Sequence, residues 1–99
     1  MITTKQRAYL RGLANDMPAL YQMGKGGLSD EFISQIEEAL EANELIKINV
    51  LKNTFYSPKD AMADLCDAVG CDPVSVVGNK LVVYRQASDK NKRKIELIK

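Results

Sequence analysis

Apolar residues recur along this chain with two different periods. Leu10, Leu13, Ala14 and Met17 fall at i, i+3, i+4 and i+7, one stripe of an amphipathic helix. Thr3-Thr4-Lys5-Gln6 has the form of a capping box, with Thr3 as N-cap and Gln6 three residues on. Asn15-Asp16 and Pro18 end the pattern, so a helix is predicted over residues 4–16. Ala19 to Met23 is a short apolar run of strand length. Ser29 then caps a second helix with Asp30 and Glu31 in its first turn, where acids suit the dipole. Ile33, Ile36 and Leu40, with Phe32 and Ala39, form its core stripe, and Glu37, Glu38 and Glu41 its outer face. Asn43 is its expected stop.

From Glu44 to Leu51 the period changes to two. Ile46, Ile48 and Val50 share one face, Lys47 and Asn49 the other, which predicts a strand with one buried face. Strand, helix and strand over residues 19–51 imply a right-handed parallel crossover. Lys52 to Tyr56 reads as a loop. Ser57 and Pro58 open a third helix as N-cap and first helical residue, with Ala61, Met62, Leu65, Ala68 and Val69 facing the core and Gly70 as its C-terminal cap. Two β-branched runs follow, Pro73 to Val77 and Lys80 to Arg85. Gly78-Asn79 between them reads as a two-residue hairpin turn with glycine first. From Gln86 the chain turns polar and basic. The prediction is one α/β (α+β) domain over residues 1–86, ordered α-β-α-β-α-β-β, followed by a basic tail over residues 87–99.

Ninety-nine residues suit a single domain with a modest core. No apolar run is long enough to span a bilayer, and the first residues lack the form of a signal peptide, so a cytoplasmic protein with no membrane partner is expected. Histidine is absent and there are two cysteines, Cys66 and Cys71, so a thiolate–imidazole zinc site cannot be assembled within one chain. Nothing basic flanks the cysteines to activate them, and they read as structural. The commonest general base is missing, and the Gly-Lys pair lacks the spacing of a nucleotide-binding P-loop. No catalytic residue, metal or cofactor is assigned, and a non-enzymatic role is expected.

The net charge of +1 hides a polarised distribution. Residues 1–29 carry Lys5, Arg7, Arg11 and Lys25 against Asp16. Residues 30–77 carry ten acids against Lys47, Lys52 and Lys59. Residues 78–99 are basic again, with seven cations against Asp89 and Glu96. Such a molecule can turn one face to a polyanion, or both signs can simply be solvated. Between the first strand and the second helix lies Gly24-Lys25-Gly26-Gly27. Glycine lets a ligand approach the backbone, and the helix start offers unpaired N–H groups, together a possible phosphate clamp. A tight turn needing glycine for its own geometry explains the same residues, and Asp30 and Glu31 lie close to where a phosphate would dock.

The order of elements, with Lys5-Gln6-Arg7, Leu10-Arg11, Ala14, Pro18, Gly24 to Leu28, Ile36, Leu40, Glu44 to Lys47, Val77-Gly78 and Leu81 to Arg85, resembles the CRM domain, named for chloroplast RNA splicing and ribosome maturation. It is more closely similar to the small bacterial stand-alone YhbY-like proteins. The resemblance covers residues 4–85. It implies a mixed four-stranded sheet with three helices, similar to the C-terminal domain of translation initiation factor three. It also implies RNA binding and association with precursors of the large ribosomal subunit. Gly24-Lys25-Gly26-Gly27 is similar to the GxxG loop of KH domains.

The site expected on these grounds is Gly24, Lys25, Gly26 and Gly27, with Lys5, Arg7 and Arg11 extending the basic surface and Lys47 and Arg85 as further contributors. Tyr84 either stacks on a base or packs in the core. The partner expected is ribosomal RNA precursor within pre-large-subunit particles, bound by a monomer. The rival reading is a protein-binding adaptor whose acidic second and third helices meet a basic partner.

Overall fold

The computed structural model describes residues 2–24, 26–51, 57–93 and 95. Its elements are α1 (Thr4–Ala14), β1 (Tyr21–Met23), α2 (Asp30–Asn43), β2 (Leu45–Val50), α3 (Pro58–Val69), β3 (Asp72–Val77), β4 (Lys80–Tyr84) and a 3-10 turn at Lys90–Lys92. Met1, Lys25, residues 52–56, where a loop is expected, Lys94 and the last four positions lie outside the described residues.

β2 and β4 are apolar on both faces, and this decides the architecture. The sheet order is β1-β2-β4-β3. β1 pairs parallel to β2, as the crossover requires, and the remaining pairs are antiparallel, so the sheet is mixed. One face of β2 and β4 presents Ile46, Ile48, Val50, Leu81 and Val83 to Phe32, Ile36 and Leu40 of α2 and to Ala61, Met62 and Leu65 of α3. The other presents Leu45, Val82 and Tyr84, with Val74, to Leu10 and Ala14 of α1. The strand expected to have one buried face therefore has two, because Leu45 is buried on the side that Lys47 and Asn49 share. Tyr84 is 3 % exposed, which makes it a packing residue and removes it as a stacking platform.

The caps follow the sequence. Thr3 and Gln6 close the capping box, while Ser29 and Ser57 accept from Phe32 N and Asp60 N. α1 ends two residues earlier than its stripe suggested, and Leu13 is left 42 % exposed. Gly70 ends α3 at φ +67, and its N–H donates to Cys66 O at 2.9 Å. This left-handed cap folds the chain back so that Cys71 meets Cys66, with the sulfurs 3.5 Å apart. Cys71 Sγ donates to Cys66 Sγ, and this hydrogen bond draws the Cys66 thiol down and pushes Cys71 up, with burial adding to the rise at Cys71. In the hairpin, Gly78 has φ +59 and Asn79 is not left-handed, the pattern of a type II′ turn.

Two departures occur at the end of α2. Glu44, read as the first residue of a strand, is its cap at φ 66, the one non-glycine residue with positive φ among those described. Its side chain is fully buried, and its carboxyl oxygens accept from Ala87 N at 2.8 Å and Ile95 N at 2.9 Å. Glu41, expected on the solvated outer face, accepts from Ser88 N and Ser88 Oγ at 2.9 Å and from Asp89 N at 3.1 Å. The stretch past Gln86, expected to be a basic tail without an element of its own, is fastened here over its described part. Arg93 Nε adds a bond to Ala87 O, and Ile95 packs against the α1-side core. No helix among the described residues is long and apolar enough to cross a membrane.

Replacing Glu44 with alanine strips two backbone N–H groups of their acceptor and should cost roughly 2–5 kcal/mol, read as a lower thermal midpoint. Glu44→Gly should lose about 1 kcal/mol less, because glycine relieves the positive φ. The Glu41 carboxyl is held down at about 2, against an ordinary 4.5, chiefly by the Ser88 and Asp89 N–H groups. Its folded value lies below its unfolded one. The stability it contributes is therefore complete above the unfolded value and is lost as pH falls through the folded one. An NMR titration should place the Glu41 midpoint near 2, with the Ser88 and Asp89 amide shifts following it. A midpoint at the ordinary value would show the segment undocked.

Candidate nucleic-acid interface

The parallel pairing of β1 with β2 decides where the glycine loop lies. Met23 pairs with Val50, and Leu51 N donates to Met23 O at 3.0 Å. Val50 N donates to Asn79 O at 2.7 Å, so the loop and the hairpin turn share one end of the sheet. Gly27 N donates to Gly24 O at 3.0 Å and Gly27 has φ +57, so Gly24 to Gly27 close as a turn. The turn accounts for Gly27 alone. Gly24 and Gly26 are not left-handed; a Cβ at Gly26 would meet nothing within 4 Å, and one at Gly24 would make an ordinary 3.8 Å contact with Leu51. Neither needs to be glycine for the backbone's sake.

Ser29 Oγ takes Phe32 N at 3.1 Å, and no described residue accepts from the N–H groups of Asp30 and Glu31, which point out of the start of α2. Beside them is a cleft of about 240 Å³ lined by Gln22, Gly24, Gly26, Gly27, Glu31 and Gln35, among others. It offers backbone donors and two amide side chains, with the Glu31 carboxylate at its edge. Gly27 N–H is already used, so any anion here is held by the helix start. Lys25, expected to add a charge at the apex, lies outside the described residues.

Turning to the α1 side of the sheet, cross-strand register sets out polar residues in rows. Gln22 pairs with Asn49, Asn49 with Lys80 and Lys80 with Val77, one row across all four strands at the loop end. The next row holds Lys47, Val82 and Ser75. Arg11, one turn before the end of α1, overhangs these rows. The structure thus brings Arg11 and Lys47 together on the face that adjoins the loop. Lys5 is exposed at the start of α1, and Arg7 is half-buried with Nε donating to Pro73 O at 3.2 Å, toward the opposite end.

Arg85 does not join them. It follows β4 at the end of the sheet away from the loop, and its guanidinium donates to Val69 O at 3.0 Å and Glu37 O at 3.2 Å. It secures carbonyls of α3 and α2, a structural post. Lys80, Asn49 and Gln22 were not foreseen as site residues. The alternation Lys80, Val82, Tyr84 is visible in the sequence, but only the register of β4 on β2 shows that Lys80 shares a face with Asn49 and Lys47.

The chain matches the model of the CRS1/YhbY (CRM) domain over residues 2–85. It is 40% identical over 97 residues to the Bacillus subtilis (strain 168) protein named "Probable RNA-binding protein YqeI", covering 98% of this chain and 99% of that one. A Haemophilus influenzae protein named "RNA-binding protein" is 28% identical over 88 residues, 89% of each chain. In structure, the chain is similar to the Staphylococcus aureus protein SAV1595, solved in solution and assigned provisionally to RNA binding. The TM-score is 0.79 at 38% identity, over 97% of this chain and 100% of that one.

The geometry of the loop predicts unequal glycines. Gly27→Ala should lose about 1 kcal/mol through its positive φ, several degrees in the thermal midpoint for a domain of this size. Gly26→Ala should leave the midpoint within error. Equal losses at both positions would contradict the turn described.

Proposed function

The chain belongs to the CRS1/YhbY (CRM) domain family, and we propose that it binds RNA through the loop end of the sheet. The RNA is ribosomal precursor RNA, and the role is assistance to assembly of the large ribosomal subunit by a cytoplasmic monomer. The observation that carries this reading is the pair Gly24 and Gly26. The turn has no need of them; a side chain at Gly26 would project into open space where a sugar–phosphate strand could approach the backbone, and one at Gly24 would rest on Leu51 at 3.8 Å. Phosphate oxygens accept from the N–H groups of Asp30 and Glu31, Lys25 supplies a point charge, and Arg11 and Lys47 extend the contact, with Lys5 and Arg7 further along α1. These contacts position RNA without reading its sequence. The resemblance of Gly24-Lys25-Gly26-Gly27 to a KH GxxG motif, and the fold similar to the C-terminal domain of translation initiation factor three that the family resemblance implies, fit the same use. The names of the relatives support RNA as the partner.

One observation favours a second surface. Glu37, Glu38, Asp64 and Asp67 are exposed on α2 and α3, across the sheet from the basic face. A basic protein partner could dock there while RNA occupies the other side.

Affinity for single-stranded RNA should fall with salt at a log–log slope of about −0.7 per phosphate contacted. Gly26→Asp should keep its thermal midpoint and lose roughly five- to a hundredfold in RNA affinity, the range for a charged hydrogen bond turned to repulsion. Unchanged affinity in that folded variant would remove the clamp. In ribosome-gradient sedimentation the protein should travel with large-subunit precursors and move to free fractions at high salt. Residence in the free fractions at every salt would favour the adaptor.

A further inference from the structure

Between the end of α1 and the hairpin, the α1-side face of the sheet sinks into a groove of about 290 Å³ lined by Arg11, Asn15, Lys47, Ser75, Val77 and Lys80, with Ala14 and Val82 at its floor. Three of these residues are cations and no carboxylate lines it. Arg11 and Lys47 have no hydrogen-bond or ion-pair partner among the described residues, and Lys80 Nζ makes one long contact, 3.4 Å to Asn49 Oδ1. Three like charges converging on one concavity repel one another, a cost that an anion seated among them would reverse. The cleft beside the glycine loop is the opposite case, since Glu31 is part of its wall.

Lys80 and Gln22 stand in the same cross-strand row, two strand spacings or about 10 Å apart, and Gln22 also lines the loop cleft. Loop cleft and groove are therefore the two ends of one polar track, Gln22-Asn49-Lys80, crossing the sheet.

We infer that this groove is a second phosphate subsite, and that the ligand spanning both is a single-stranded RNA segment. Its backbone leaves the helix start at α2, crosses Gln22 and Asn49, and places a phosphate among Arg11, Lys47 and Lys80. The amides of Gln22 and Asn49 face the sugars and base edges between the two subsites, and exposed Val77 gives an apolar surface beside the groove. A flexible strand can bend into a recess between helix and sheet. A duplex presents a stiff convex surface with its phosphates fixed on the outside, and reaches protruding cations better than recessed ones. The inference rests on the RNA-binding reading above and adds Lys80, Asn49 and Gln22 to its residues.

The test compares the wild type with Lys80→Ala, Arg11→Gln, Lys80→Arg, Gly26→Asp and Lys59→Ala. Lys59 is exposed at the start of α3, across the sheet, and controls for net charge. The probes are a fluorescein-labelled, mixed-sequence, unstructured RNA and a blunt duplex of the same sequence, titrated at several salt concentrations with each thermal midpoint measured. Lys80→Ala and Arg11→Gln should each weaken single-strand binding by roughly five- to twentyfold and make the salt slope shallower by about 0.7. Lys80→Arg should bind as wild type, Lys59→Ala should change little, and the duplex should be less affected throughout. If Lys80→Ala and Arg11→Gln behave like Lys59→Ala, the groove is not a subsite, and a loss in Gly26→Asp alone would leave the loop reading standing. Weakening at Lys80 and Arg11 with Gly26→Asp inert would uphold the groove and remove the loop clamp. Equal losses on both probes would overturn the single-strand assignment, and no binding of either probe by the wild type would overturn both readings.

Discussion

The need to cover both faces of β2 and β4 governs this molecule. Leu45, Val82 and Tyr84 on one face, and Ile46, Ile48, Leu81 and Val83 on the other, cannot be left in water. At about 25 cal/mol per Å² of apolar surface, each such side chain gains on the order of 2 kcal/mol by burial. Two helices, α2 and α3, cover the second face fully. One eleven-residue helix covers the first, and at 1.5 Å per residue it is about 16 Å long. It reaches Val74, Val82 and Tyr84 with Leu10 and Ala14 and ends there. The sheet beyond its end is uncovered, and the residues there, Gln22, Lys47, Asn49, Ser75 and Lys80, are polar. The candidate interface exists because the covering helix stops short of the loop end.

The opposite end of the sheet is closed by other means. Glu44 turns the chain from α2 into β2 with a backbone angle that side chains rarely adopt, and its buried carboxyl holds Ala87 and Ile95. Glu41 holds Ser88 and Asp89, and Arg85 ties α2 to α3. Polar side chains thus act as structure at one end, while at the other Arg11 and Lys47 have no partner among the described residues and Lys80 has only the long contact to Asn49. The charged residues at the loop end have few partners inside the protein, the condition expected where partners come from outside.

Helix and strand identities were legible because each rests on a local period: the stripes of α1, α2 and α3, the alternation at Ile46, Ile48 and Val50, and the glycine-first turn at Gly78. What was not legible depends on register or on distant contact. Leu45 falls on the side of the alternation shared by Lys47 and Asn49, and only the placement of α1 makes it core. Lys80 opens β4 and Arg85 follows it, and nothing local separates the one that ties carbonyls of α2 and α3 from the one that faces the groove. Glu44 is a poor sequence choice for a helix cap at positive φ, where glycine would be expected. Its reason is the pair of N–H groups more than forty residues further on. The glycine loop was legible as a loop, but which of its glycines the backbone requires could be read only from the angles of the folded turn.

The separation of charge by the sheet bears on how an RNA strand would lie. Acids on α2 and α3 face away from the α1 side, and their repulsion of a polyanion favours the approach that leads over Gln22, Asn49 and Lys80. Glu31 narrows this further. A carboxylate in the wall of the loop cleft disfavours a phosphate entering from the α2 side, although the N–H groups it would reach belong to the start of that same helix. A strand arriving from the hairpin meets Lys80 first and those N–H groups last, with Glu31 behind them. Charge placement therefore gives the track a preferred side of entry, which neither the free N–H groups nor the cations would impose alone.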